Sequence, residues 1–359
     1  MGSKTLYITK YYIQYSLIIL SGLSIFFVVI DYMQVGKELP SSANLQILYF
    51  YYKTLHASST LFPVSLVFGA VLTFARLVKD NSIIALYSVG YSDKDILTPV
   101  FITSILAVII YISLFTTDFA YSKSKAYEII KGNSFSRNST NLFFKYDLQE
   151  DSGNVKSYYI FFSKLYPIQK LAEGIRLFSL DKDGKLSEVI RAKHAYYDKS
   201  RWVIYSARFI KNSKNIELNS KAFDIEDKDK FFVLNGFKPK ILDKIYESEM
   251  AFNLIDLVEA MELMNSQGFN IEKLKVSLYN IVIYPFFAPL LIVILFKMMP
   301  ISSRFSNINL FVFTGIVTSL LFWGVLFALI KLSFTGNLSV EIATTLPILL
   351  LAFTSLYLI

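Results

Sequence analysis

The chain has 359 residues, of which 54% are hydrophobic and only 18% are charged. Ordinary soluble domains carry about 25% charged residues, so this composition excludes a disordered chain and argues against a purely water-soluble one. There is no cysteine, which excludes disulfides and thiolate metal sites. The net charge of +8 is spread along the chain and gives no reason to expect a nucleic-acid partner.

The charged residues leave six uninterrupted charge-free windows of 18 residues or more. An α-helix needs about 20 residues to span the roughly 30 Å hydrocarbon core of a bilayer. The alternative, buried helices of a large soluble protein, fits less well because ordinary helices average roughly 11 to 12 residues. We therefore predict six transmembrane helices. The windows are residues 11–30, 54–75, 96–117, 276–296, 305–330 and 342–359.

The basic residues of the short loops indicate the orientation, since Lys and Arg stay on the cytoplasmic side. With the N-terminus inside, seven basic residues fall in cytoplasmic segments, against only Lys37, Lys53 and Lys331 in the short outer loops. This asymmetry predicts a multi-pass membrane protein with both termini in the cytoplasm. The long region between helices three and four is then exported, which in a bacterium places it in the periplasm.

The exported region changes from helical windows to short aromatic and β-branched runs, which favour strands. A turn at 181–184, where Asp183-Gly184 supplies the positive φ of a hairpin, and another at 198–201 predict an antiparallel meander. An all-β sandwich or jellyroll is the expected outcome. The runs are residues 142–146, 157–162, 174–180, 188–193, 195–197 and 202–210.

An amphipathic helix is predicted after the strands, over residues 253–264, because apolar residues recur there at helical spacing. Asn253 is the expected N-cap, Asp256 an acidic residue of the first turn, and Gly268 the stop. The predicted organisation is helices one to three in 1–117, a periplasmic β-jellyroll domain in 118–252, a connector in 253–275 and helices four to six in 276–359. Pro285 and Pro289 should bend helix four.

Catalytic motifs for hydrolases and metalloenzymes are absent from the sequence, and no metal-ligand spacing occurs. The two histidines, His56 and His194, fall in different predicted compartments. The sequence therefore predicts a protein that is not an enzyme and binds no cofactor. A nucleotide, if one is used, would be bound by another subunit.

The loop between helices two and three is the most informative segment. It carries Ile83, Leu86 and Tyr87 on a predicted helix at about 80–92, with Gly90 as the stop and Ser92 as a cap for the next helix. A short interfacial helix lying on the membrane is one interpretation. A coupling helix that docks into a cytoplasmic ATPase is the other, and spacing alone leaves both open.

The segment 73–92 resembles the Glu-Leu-x6-Gly-x-Ser loop of the LptF/LptG family, permeases that extract lipopolysaccharide from the bacterial inner membrane. Segments 29–34, 175–198 and 284–291 are similar to the family in order and spacing. Together with the six-helix layout, the resemblance covers nearly the whole chain. The run from Asp31 to Gln34 is more similar to LptG than to LptF.

This resemblance implies a six-helix membrane bundle with a periplasmic β-jellyroll between the third and fourth helices. It implies a paired LptF-like permease, an LptB-like ATPase dimer that uses ATP and Mg²⁺, an LptC-like membrane-anchored protein and an LptA-like bridge. Helices one and five would form lateral gates for the lipid, with Asp31 at the end of helix one as a lipid-binding or gate residue. The residues implied in coupling to the ATPase are Asp80, Ser82, Ile83, Leu86, Tyr87, Gly90 and Ser92.

The chain departs from the family pattern at two places. The acidic residue that begins the family's coupling helix aligns with Ser82, so Asp80 is the expected substitute. A basic residue that some LptG proteins carry one turn before Asp31 falls on Phe27 or Val28. Lipid phosphates are then expected at Lys37, Lys53 or Lys331, for which snorkelling to the membrane interface is the alternative.

An apolar wall for the acyl chains is expected from aromatic residues of helices one and five, with ordinary lipid-facing packing as the alternative. The candidates are Phe26, Phe27, Phe311, Phe313, Phe322 and Trp323. The competing function from another class is a non-transporting membrane sensor or scaffold, whose periplasmic β domain binds a ligand.

Overall fold

The computed structural model describes residues 3–130, 139–149, 155–166, 169–180, 186–199, 201–212, 223–234, 252–266, 271–302 and 307–358. These residues form two compact units. One is helical and is built from described residues of 1–132, 251–257 and 272–359. The other contains the strands and is built from described residues of 133–250 and 258–271. The helical unit therefore includes the first residues of the segment predicted as the β domain.

Ten α-helices are described. They are α1 (Ser3–Val35), α2 (Ala43–Lys79), α3 (Ser82–Ser88), α4 (Asp93–Leu114), α5 (Ser122–Ile130), α6 (Leu254–Ser266), α7 (Glu272–Val282), α8 (Phe287–Lys297), α9 (Ile308–Phe334) and α10 (Leu346–Leu358). A 3₁₀ turn, Asp118–Tyr121, precedes α5, and a π-helical turn, Glu341–Thr345, precedes α10.

Among the described residues, six helical segments are long and apolar enough to cross a membrane, which confirms the six predicted helices. Each charge-free window of the sequence coincides with one of them. The spans are Thr5–Val35, Ala43–Lys79, Asp93–Leu114, Glu272–Lys297, Ile308–Phe334 and Glu341–Leu358.

The fourth span is broken where the sequence predicts a bend. Helix α7 ends at Val282, a 3₁₀ turn covers Tyr284–Phe286, and α8 begins at Phe287. Pro285 lies in that turn, where its missing N–H and fixed φ end the α-helical ladder. The span is therefore two half-helices, with α8 as the half that packs into the core.

Helix α2 is the centre of the helical unit. In its most apolar stretch 72% of the residues are buried, against 17% for α1 and 22% for α9. Gly69 of α2 meets Ser16 of α1, and a Cβ placed on Gly69 would lie 2.8 Å from the Ser16 Cα atom. Small residues allow such close approach between helices in membranes. The backbones of α1 and α2 are therefore in close contact at Ser16 and Gly69.

The β unit contains a six-stranded antiparallel sheet in the order β1-β2-β3-β4-β5-β6, which confirms the predicted meander. Its core surrounds Trp202, which is fully buried and lies 5.7 Å from the Phe162 ring and 5.8 Å from the Tyr197 ring, centroid to centroid. The strands are β1 (Ser139–Gln149), β2 (Val155–Tyr166), β3 (Leu171–Leu180), β4 (Leu186–Asp198), β5 (Arg201–Asn212) and β6 (Phe223–Val233).

Several details of the β prediction differ from the structure. The runs 188–193 and 195–197 belong to one strand, β4, whose His194 pairs with Glu173. Strand β6 was not predicted. All six described strands pair in one sheet, and the second sheet of a sandwich is not among them. The predicted hairpin turn at 181–184 and the predicted helix stop at Gly268 lie outside the described residues.

Candidate functional site

An apolar cleft lies along the second half of α1, where it passes α2. Its volume is about 340 Å³. Most of its wall is hydrocarbon, and two polar residues of α1 lie at one end. The lining residues are Leu23, Phe26, Phe27, Ile30, Asp31, Gln34 and Leu61. The structure thus brings together three of the residues predicted for the lipid site, Phe26, Phe27 and Asp31.

The polar end of the cleft is held by an ion pair between α1 and α2. The Lys53 ammonium nitrogen lies 2.5 Å from the Asp31 carboxylate, and the two side chains are only 18% and 17% exposed. The Tyr49 hydroxyl donates a second hydrogen bond to the same carboxylate. Asp31 therefore has a cation and a hydroxyl as partners in a largely apolar setting, where paired charges are favoured over isolated ones.

Phe27 connects the wall of the cleft to its charged end. The Lys53 ammonium lies 5.7 Å from the centre of the Phe27 ring, within the range of a cation–π contact. On α2, one turn after Lys53, His56 meets the same ring edge-on, with 6.3 Å between centroids. The aromatic ring thus contacts both Lys53 and His56 of α2 where the apolar wall meets the polar end.

Lys123 on α5 belongs to the same charged end, although the sequence did not indicate it. Burial, together with the positive charges of Lys331 and Lys53, lowers the pKa of Lys123 from 10.5 to about 8. Lys331, at the end of α9, also lies 5.5 Å from the Phe327 ring centre. The charges of Lys53 on α2 and Lys331 on α9 therefore both act on Lys123 of α5.

The remaining residues predicted for the lipid site are placed differently. Phe311 is 6% exposed and lies in the core, whereas Phe313 is 65% exposed. Phe322 packs against Phe287 of α8 at 6.1 Å between ring centroids. Lys37 is exposed in the loop after α1. The cleft therefore contains neither Phe311 nor Phe322.

Helix α3 ends before Gly90, and Ser92 caps the start of α4, as the sequence predicted. Gly90 has a φ of 90°, and the Gly90 and Tyr91 N–H groups donate to the carbonyls of Tyr87 and Leu86 at 2.9 and 3.1 Å. This pair of bonds is a Schellman motif, which ends the helix and favours glycine. Ser92 then begins α4 with a capping box, in which it exchanges hydrogen bonds with Asp95.

The two faces of α3 differ in burial. Ile83 is fully buried, and Leu86 and Tyr87 pack partly buried against the same core. The neighbouring Ile84 is 42% exposed, and Val89, just after the helix, is 74% exposed. Two of the residues expected to face an ATPase, Ile83 and Leu86, therefore anchor α3 to its own bundle. The outward apolar surface consists of Ile84 and Val89.

Asp80 is exposed between α2 and α3 and pairs with Arg76 one turn earlier, with 3.3 Å between Nε and Oδ2. Arg76 also donates to the Tyr15 hydroxyl at 2.8 Å and lies 4.1 Å from the Tyr11 ring centre. This end of α2 is therefore fastened to α1 beside the start of α3. Ser82 is half-buried as the first residue of α3.

Comparison with known proteins gives one result that covers the chain. The sequence profile of the family described as lipopolysaccharide export system permease LptF/LptG matches residues 6–359. No curated protein matches the chain in sequence. The match extends through the apolar cleft, helix α3, the strands and the last span. This multi-pass membrane protein therefore belongs to the LptF/LptG family of lipopolysaccharide export permeases.

Proposed function

We propose that the chain is the transmembrane permease subunit of an ABC transporter, which extracts lipopolysaccharide from the outer leaflet of the bacterial inner membrane. The lipid then passes to a periplasmic β-jellyroll bridge that leads towards the outer membrane. The observation that carries this proposal is the cleft on α1, which has an apolar wall and a charged end. An amphiphile with acyl chains and phosphates has the same two-part chemistry.

The charged end supplies the groups that an anionic headgroup needs. Lys53, Lys123 and Lys331 act together there, and ammonium–phosphate hydrogen bonds are stronger than neutral ones. Asp31 holds Lys53 in position beside the Phe27 ring. The lysines thus bind phosphates while Phe26, Phe27 and Ile30 accept hydrocarbon.

Extraction needs an external source of free energy. Each CH₂ group taken from hydrocarbon into water costs about 0.8 kcal/mol, so a lipid with several acyl chains does not leave the bilayer unaided. In this proposal a separate LptB-like ATPase dimer hydrolyses ATP with Mg²⁺. It docks on the exposed side of α3, at Ile84 and Val89. In this proposal this side and both termini lie in the cytoplasm, which the excess of Lys and Arg in the corresponding short loops supports.

The other proposed partners are supported by surfaces that the described residues expose. Helices α1 and α9 expose apolar side chains, among them Phe26 and Phe313, where a paired LptF-like permease and the incoming lipid would contact them. Among the described strands, β1 and β6 lie at the edges of the sheet, and each has a strand neighbour on one side only. A strand of an LptC-like or LptA-like protein can extend such an edge. The LptG-like assignment, which rests on the run from Asp31 to Gln34, stays a prediction.

Site-specific photocrosslinking tests the proposed substrate site. With p-benzoylphenylalanine in place of Phe26, which is 65% exposed, ultraviolet light should join lipopolysaccharide to the chain in intact cells. Phe353, which is 72% exposed on α10 and outside the cleft, is the matched control and should capture ordinary phospholipid. Equal capture of lipopolysaccharide at both positions would contradict the cleft as the substrate site.

A further inference from the structure

Asp93, the first residue of α4, joins three helices through one carboxylate. Its Oδ1 atom accepts a hydrogen bond from the Tyr87 hydroxyl of α3 at 2.7 Å. Its Oδ2 atom accepts one from the Lys297 ammonium, at the last residue of α8, at 3.0 Å. Two different helices are therefore held to the same residue, and neither bond is between neighbours on one helix.

Helix α3 depends on such contacts for its orientation. It has seven residues, and isolated helices of this length are not stable in water. Burial, and secondarily the hydrogen bond to Asp93, raises the pKa of Tyr87 to about 12. The hydroxyl is consequently protonated at physiological pH and remains a donor to the carboxylate.

Helix α8 is separated from α7 within the fourth span. The 3₁₀ turn at Tyr284–Phe286 divides it from α7, so α8 is joined to α7 by a bend and to α3 by the Asp93 contacts. Eight of its eleven residues are buried, including Pro289 and Phe296. A displacement of α3 that reaches Lys297 is therefore delivered to the packed core of the bundle.

We propose that Asp93 is a positioning residue that makes α3 and α8 move as one body, so that movement of an ATPase docked on α3 is transmitted to α8. This inference rests on the proposed transport function. It adds a path of hydrogen bonds from Tyr87 of α3 through Asp93 to Lys297, the last residue of α8.

The first test measures how much lipopolysaccharide transport each ATP hydrolysis drives, in a complex that has already assembled. In a purified complex of the full chain with its partner permease and ATPase, Lys297→Met should lower the lipopolysaccharide released per ATP hydrolysed by about threefold to tenfold. That range corresponds to the loss of a partly exposed, charge-assisted hydrogen bond. Lys297→Arg should restore the ratio. Lys94→Met, at an exposed lysine beside Asp93, is the matched control and should leave it unchanged.

The second test measures the movement itself. Because the chain has no cysteine, spin labels can be placed at Ser88→Cys and Met298→Cys without removing native thiols. The distance between them should stay constant between nucleotide-free and nucleotide-bound complexes, and it should change with nucleotide in the Lys297→Met background. A distance that changes with nucleotide in the native background, or the same transport ratio for Lys297→Met and Lys94→Met, would overturn the inference. A native complex that releases no lipopolysaccharide would instead overturn the transport function itself.

Discussion

Lys53 of α2 and Asp31 of α1 form an ion pair across the polar end of the apolar cleft, with 2.5 Å between nitrogen and oxygen. The pair links two membrane-spanning helices at the end of the cleft where the apolar lining meets the polar residues. Its two side chains are more than four-fifths buried, so each depends on the other for the solvation that water would otherwise supply.

Removing both partners should destabilise the helical unit by less than the sum of the two single changes. Asp31→Ala leaves the Lys53 charge without its carboxylate, and Lys53→Met leaves Asp31 with only the Tyr49 hydroxyl. Each single change should cost about 1–3 kcal/mol, and the double variant should cost less than the sum. The melting temperatures in detergent of the native chain, the two single variants and the double variant measure this double-mutant cycle. Strictly additive shifts would show that the two residues do not stabilise each other.

Binding of lipopolysaccharide should weaken as pH rises through about 8, because Lys123 then loses its proton. The pKa of Lys123 is lowered by burial and by the positive charges of Lys331 and Lys53, so the lysine is charged below that pH and neutral above it. Affinity of the detergent-solubilised chain for purified lipopolysaccharide, measured from about pH 7 to 9, gives the profile.

Two variants assign that profile to Lys123. Lys123→Arg should bind with little pH dependence in this range, because a guanidinium stays protonated. Lys125→Met should keep the native profile, since Lys125 is paired with Asp118 and that hydrogen bond raises its pKa. A native profile in Lys123→Arg would contradict the assignment.

Gly69→Ala should loosen the α1–α2 contact. The added Cβ would lie 2.1 Å from the Ser16 Oγ atom and 2.8 Å from its Cα atom, so the backbone of α1 must move. Overpacking of this kind costs about 1–3 kcal/mol. Gly22→Ala, where a Cβ would meet nothing within 4 Å, is the control. Equal melting temperatures for the two variants would show that α1 is not held at Gly69.

Much of the helical unit could be predicted from local sequence. A span of membrane excludes charge, so the charge-free windows give the six helices directly. The conformations at Gly90 and Ser92 depend on the chemistry of a single residue, and both were predicted. The break near Pro285 follows from its missing N–H for the same reason.

The features that the sequence did not predict depend on contacts between distant parts of the chain, which local sequence patterns do not indicate. Strand β6 carries a charge at six positions from Asp224 to Lys230, and an edge strand can expose them all, so it does not have the apolar signature of a strand. Ile83 and Ile84 are chemically the same, and only the packed bundle shows which one faces outward. The pKa of Lys123 is lowered by burial and by the charge of Lys331, which lies in a different part of the chain.

The exposed side of α3 gives a sharper test of ATPase docking than its buried side. Ile84→Asp and Val89→Asp should reduce co-purification of the ATPase about tenfold or more, because a charge in an apolar interface is left without a partner. The melting temperature of the isolated permease should be unchanged, since both positions are exposed. Leu86 is unsuitable, because it packs against the core of its own bundle.

Ile255→Asp is the matched control for these variants. Ile255 is 55% exposed at the start of α6, far along the chain from α3. It should leave the yield of ATPase unchanged. If Ile84→Asp and Val89→Asp co-purify with as much ATPase as Ile255→Asp does, α3 is not the docking element.

ATP-dependent transfer of lipopolysaccharide tests the central claim most directly. The chain, its partner permease and the ATPase would be reconstituted in vesicles that contain lipopolysaccharide and phospholipid, with a soluble periplasmic acceptor outside. The acceptor should gain lipopolysaccharide only when ATP is present, and the variant with both Lys53→Met and Lys123→Met should transfer markedly less. Transfer without ATP, or equal transfer of lipopolysaccharide and phospholipid, would contradict the account.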